Sequence, residues 1–220
     1  MSEHIHQITK AALQFLLLIL CTLIAPLAVT VDVVVLNHGM PEWGLTELLQ
    51  ALLILLSALL CAAGAVRVRD TRGFLILIAG FFMTMFIREF DFLLDDMQDN
   101  LWQYCVLAVF LVSVGLAACY PQSTLSGMVS AIRSVPFNYV LMGIATLLCF
   151  SRVFGTGAIW EAMLGEQGAS SVFLIKSVVQ EGLELFAYSI IFHSTLLFWL
   201  IEARSPEARP HQDTTSGVTS

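Results

Sequence analysis

The chain has 220 residues, of which 58% are hydrophobic and 12% charged, with a mean hydropathy of +0.84 and a formal net charge of -7. A charged fraction about half that of a soluble domain excludes water as the main solvent of the fold. The negative balance, with no basic stretch interleaved with aromatic residues, excludes nucleic acid as a partner.

A transmembrane helix needs roughly 20 apolar residues. The chain offers six such runs, so the predicted class is all-α: a polytopic bundle of six transmembrane helices in a lipid bilayer. After a segment over 1–10, the first run spans 11–36. Lys10 before an apolar stretch, with small residues from Ala25 to Ala28, has the outline of a secretory leader. Pro26 sits badly for cleavage, however, and the run continues to Leu36, so a retained helix kinked at Pro26 is expected. The other runs span 45–66, 73–94, 101–120, 137–154 and 173–201. Residues 202–220, with Pro, Ser and Thr but no apolar periodicity, read as a disordered tail. The runs are too continuous for barrel strands, and no internal repeat supports an inverted-repeat transporter.

Lys10, Arg67, Arg69, Arg72, Arg133, Arg204 and Arg209 all fall on one side of this arrangement. The alternate connections, 38–44, 95–100 and 155–171, carry Glu42, Asp95, Asp96, Asp99, Glu161 and Glu166 but no lysine or arginine. The positive-inside rule then places both termini in the cytoplasm, and for a bacterial chain the membrane is the inner one.

Cys21, Cys61, Cys105, Cys119 and Cys149 lie in apolar runs without CxxC spacing or neighbouring histidines, so they read as packing residues. There is no haem or zinc signature. Ser57, Cys61 and Ala65 on the second helix, and Ser113 and Ala117 on the fourth, form small-residue stripes suited to close packing. Trp43, Trp102, Tyr104 and Trp160 suit an interfacial aromatic belt. His193 lies roughly 13 Å along the helix from Glu184, too far to share a metal, and reads as a hydrogen-bonded core histidine.

The intramembrane ionisable residues gather in the outer halves of the helices. The residues singled out are Glu47, Gln50, Arg88, Glu89, Asp91, Arg152, Lys176, Gln180, Glu181, Glu184 and Tyr188. Lys176, Gln180, Glu184 and Tyr188 repeat every fourth residue and share a helix face; Arg88, Asp91 and Asp95 share another. Asp32, Asn37 and His38 close the first span at the same level. Charges in the hydrocarbon cost about 2.5–3.5 kcal/mol each and so pair or line a wet cavity. Acids outnumber the cations Arg88, Arg152 and Lys176, so some carboxylates are protonated or a bound cation compensates them.

Three functions fit. Glu47, Glu89, Glu181 and Glu184 can exchange protons, or hold a cation or small charged solute, in a vestibule on the outer side, with Arg88 and Lys176 tuning them. Alternatively, Glu89 and Glu181 can serve as acid and base of an enzyme acting on a lipid headgroup or lipid-linked substrate held by Arg88 or Arg152. In that setting Glu47, Asp91 and Glu184 are possible oxygen ligands for magnesium or calcium, although HExxH and GxSxG are both missing. In the third reading the polar groups only fix helix packing in an accessory or sensor protein.

Overall fold

The computed structural model describes residues 2–37, 40–41, 43–164 and 169–200. The expectations at His38, Glu42, Glu166, Arg204, Arg209 and the tail over 202–220 lie outside them.

The described residues are all-helical, without strands. Helix α1 (Ser2–Thr30) continues into one π-helical turn (Val31–Val35) and includes Pro26. It is followed by α2 (Leu45–Arg67) and, after a tight turn over Arg69–Thr71, by α3 (Arg72–Arg88). Next come α4 (Asp91–Met97), α5 (Leu101–Ala118) and α6 (Pro121–Ile132), which opens on a proline at its first position. Helix α7 (Val135–Ala145) runs through a second π-helical stretch (Thr146–Ser151) into the single turn α8 (Arg152–Phe154). Helices α9 (Gly157–Leu164) and α10 (Ala169–Phe198) complete the order.

Five helical stretches are long and apolar enough to cross a membrane: Ser2–Val35, Leu45–Arg67, Arg69–Arg88, Leu101–Ala118 and Val135–Phe154. Their outward surface is apolar as well; Phe110 and Leu148 are 55% and 62% exposed, which suits a lipid solvent. These features fit an integral, multi-pass membrane protein. Helix α10 falls outside the five because Lys176, Gln180, Glu181, Glu184 and His193 dilute its apolar residues. Its position makes this tolerable. It packs against α1, α2 and α7, and from Glu184 to Leu197 most of its side chains are buried. A helix wrapped by other helices meets protein rather than lipid and can carry polar groups.

The core joins Ala25 and Ala28 of α1, Ile54 and Ala58 of α2, Phe82 of α3, Val140 of α7, and Leu185 and Ile191 of α10. Helix α3 lies on the far side of α2, and α5 and α6 pack on α3. The small-residue stripes have the packing role expected of them. Ser57, Cys61 and Ala65 are all buried. Where α3 and α5 cross, a Cβ on Gly80 would sit 2.0 Å from Ser113 Oγ and 2.5 Å from its Cβ. Gly80→Ala is therefore expected to lower stability by about 1–3 kcal/mol through overpacking. Adding Ser113→Gly should recover part of that loss in detergent melting curves; a Gly80→Ala chain that melts like the parent would show that this seam yields freely.

Two expectations are corrected. The third span does not run unbroken over 73–94: α3 stops at Arg88, the chain turns through Glu89 and Phe90, and α4 begins at Asp91. Asp91 Oδ1 accepts from the N–H of Phe92 at 2.6 Å, a local bond that competes with helix continuation. Arg88, Asp91 and Asp95 thus do not share one helical face. His193 is buried, but neither ring nitrogen has a hydrogen-bond partner among the described residues; the ring stands edge-on to Tyr139 at 5.5 Å between centroids.

At one end of the bundle, arginines close the helices. Arg72 Nε donates to Ala65 O at 2.9 Å and Nη2 to Val66 O at 3.3 Å, satisfying the last turn of α2. Its guanidinium lies 5.4 Å from the Tyr120 ring centre, and that of Arg67 lies 4.4 Å from Trp199. The polar cluster occupies the other end.

Candidate functional site

At this second end, four helices bring polar side chains inward. Gln50, one turn into α2 and fully buried, donates through Nε2 to the main-chain oxygen of Glu181 at 3.0 Å and to Glu181 Oε2 at 3.1 Å. Both partners are acceptors, which fixes the amide orientation. Gln50 Oε1, equally buried, has no donor among the described residues.

One turn further along α10, Glu184 is 6% exposed. Its Oε1 accepts from Ser151 Oγ at 2.6 Å and from Gln180 Nε2 at 3.3 Å, and its Oε2 lies 4.0 Å from Arg88 Nη2. The fully buried Tyr188, next on the same stripe, donates its hydroxyl to Glu89 Oε1 at 2.5 Å. The same oxygen accepts from Arg88 Nη2 at 3.2 Å. The stripe of Gln180, Glu184 and Tyr188 thus faces protein from the end of α3 and from the π-helical stretch after α7, as helical spacing requires of polar groups inside a bundle. Glycine permits one of these contacts: a Cβ on Gly155 would lie 2.5 Å from Gln180 Oε1.

Two carboxylates, Glu89 and Glu184, therefore approach one guanidinium, and a third, Glu181, sits one turn before Glu184 in the grip of Gln50. The other expected cations stand apart: Arg152 is exposed and Lys176 half-buried, and among the described residues Arg88 alone supplies the ion pairs of the cluster.

Glu89 also faces outward. With Trp43, Glu47, Leu48, Ala51 and Asp91 it lines a cleft between the start of α2 and the α3–α4 turn. The cleft encloses about 660 Å³ of empty space, part of it open to the surroundings. Glu47 and Asp91 belong to this mouth, and Glu184 to the buried network. The set of Glu47, Asp91 and Glu184 is thereby divided and forms no divalent-cation site; among the described residues no three of His, Cys, Asp and Glu are placed to hold a metal.

Two contributors had weak sequence signals. Asp32 caps α2 with its carboxylate. Oδ1 accepts from the N–H of Leu45 at 2.9 Å, and Oδ2 accepts from the N–H of Thr46 at 2.8 Å and from Thr46 Oγ1 at 2.6 Å. Gly44 allows the approach, since a Cβ there would meet Asp32 Oδ2 at 3.0 Å. Ser151 escaped notice altogether as a small hydroxyl in an apolar run. Both residues sit in the π-helical turns, which shift the register of a helix and re-aim its side chains.

What the fold and site define is an all-helical protein of membrane-spanning character with a buried carboxylate–guanidinium network open to one side through a cleft. Comparison with family models, curated proteins and solved structures finds no match, so the functional reading rests on this geometry.

Proposed function

We propose that the chain crosses the membrane six times, α10 being the sixth span, with both termini cytoplasmic, and that its network exchanges protons with the outer compartment. In a bacterium it resides in the inner membrane. The observation that carries this reading is Glu89, which belongs at once to the buried network and to the cleft. With three carboxylates against one guanidinium, full ionisation leaves a net negative charge in a poorly solvated site, and taking up protons relieves it. Gln50 Oε1, without a partner among the described residues, is a further acceptor at which a protonated group or a water can dock. Arg88 holds the remaining charge in place by bonding to Glu89 and approaching Glu184.

The test is reconstitution of wild type, Glu181→Gln and Glu89→Gln in liposomes, with internal pH followed as an imposed gradient relaxes. Proton flux in wild type, reduced at least about tenfold in both variants while their melting temperatures stay within a few degrees, is the expected result. No flux in well-folded wild type would overturn the reading.

A purely structural network is the second reading, favoured by the hydrogen bond that each of the three carboxylates receives from a neighbouring side chain. It predicts that Gln at position 181 leaves every property but stability unchanged.

A further inference from the structure

The cleft at the mouth of the carboxylate network has a wall of two kinds. Its charged side chains are Glu47 on the first turn of α2, Glu89 just after α3 and Asp91 at the start of α4, and among the described residues its lining contains no basic side chain. Aromatic rings make up the second kind: Trp43, Phe90 and Phe92 line the same space. Phe90 is held by an edge-on contact with Phe86, 5.1 Å between ring centres, while Trp43 and Phe92 are 54% and 52% exposed. The rest of the wall is aliphatic.

Size and the placement of the acids narrow the occupant. The part of the cleft that a ligand can fill is about 210 Å³, below the roughly 300–1,000 Å³ of drug-sized sites. A ligand of a few heavy atoms fits it. A hard metal ion draws six or more oxygens onto itself at about 2.0–2.6 Å, and the three carboxylates are not placed to share one. An organic cation needs no such convergence. Its charge is spread under an apolar surface, which acids attract from several ångström away and aromatic rings attract on contact.

We infer that the cleft binds a small organic cation, a quaternary or alkyl-substituted ammonium ion, whose alkyl groups meet Trp43, Phe90 and Phe92 while Glu47, Glu89 and Asp91 balance its charge. An anion is disfavoured by the same acids, and a neutral apolar ligand leaves them without compensation. The inference rests on the cleft that serves the proposed proton exchange and adds a ligand to it. Binding is measured without a gradient, so either reading can fail while the other stands.

The test is equilibrium dialysis of radiolabelled choline against the full-length chain purified in dodecyl maltoside. Saturable binding is expected, displaced by tetramethylammonium but not by equal concentrations of sodium or of dimethylbutanol, the uncharged carbon counterpart of choline. Trp43→Leu and Asp91→Asn should each weaken binding about fivefold. Glu161→Gln, which removes an exposed acid outside the cleft, should leave it unchanged. Asparagine at position 91 keeps an oxygen for the N–H of Phe92, and Trp43 is exposed, so both variants are expected to melt with the parent. The proposal is overturned by a lack of saturable binding, by equal displacement with sodium or the alcohol, or by a Glu161→Gln chain that loses as much affinity as Asp91→Asn.

Discussion

Arg88→Gln should lower the stability of the chain by about 3–5 kcal/mol, the cost usual when one partner of a buried ion pair is removed and the other charge stays behind. The guanidinium is the cation of the cluster, 3.2 Å from Glu89 and 4.0 Å from Glu184, with side-chain exposures of 30%, 12% and 8% for the three groups. That partial exposure of Arg88 lets water offset some of the loss and favours the lower end of the range. For a chain of this size such a loss lowers the melting temperature by roughly 6–20 °C. Adding Glu89→Gln should recover more than half of it, because the amide oxygen still accepts from Tyr188 while one stranded charge disappears. Thermal melts of the two single variants and the double variant measure the coupling directly. Strictly additive losses would mean that Arg88 and Glu89 act independently.

Asp32→Ala is expected to cost about 3 kcal/mol and to disturb the cluster from a distance. It deprives two N–H groups at the first turn of α2, and the hydroxyl of Thr46, of their acceptor in a place closed to water. Asp32→Asn keeps one acceptor oxygen and should cost about half as much. Gln50 lies on the next turn, so fraying α2 loosens its grip on Glu181. Hydrogen exchange over 45–52 would register the effect as faster exchange in Asp32→Ala than in the parent. Unchanged exchange would show that the first turn of α2 holds without its cap.

Much of this arrangement could be read from residue order. Apolar run length foretold the membrane-spanning class, and the need of intramembrane charges for partners predicted that Glu89, Gln50, Glu181 and Glu184 would gather at one level. Which charges would actually meet was not legible. Arg88, Arg152 and Lys176 were all candidate cations; among the described residues Arg88, on the last turn of α3, makes the ion pairs, while Arg152 falls on an exposed turn and Lys176 is half-buried. The π-helical turns depend on hydrogen-bond register, to which apolar periodicity is blind, and with them the inward aim of Asp32 and Ser151 went unseen. Run length likewise concealed the turn at Glu89 and Phe90, after which α4 opens with Asp91 bonded to the N–H of Phe92.

The place of α10 has a consequence for how the protein is made. The stretches it packs against, α1, α2 and the one over Val135–Phe154 that begins with α7, leave the ribosome first and have enough apolar length to enter a bilayer on their own. Helix α10 emerges later, with its polar stripe, and is most comfortable once those helices stand ready to receive it. Until it docks, Gln50 and Glu89 lack Glu181 and Tyr188, and a chain halted at that point shows unsatisfied polar groups to the lipid, where membrane quality control can recognise them. The helix that completes the network thus also marks that synthesis has passed it.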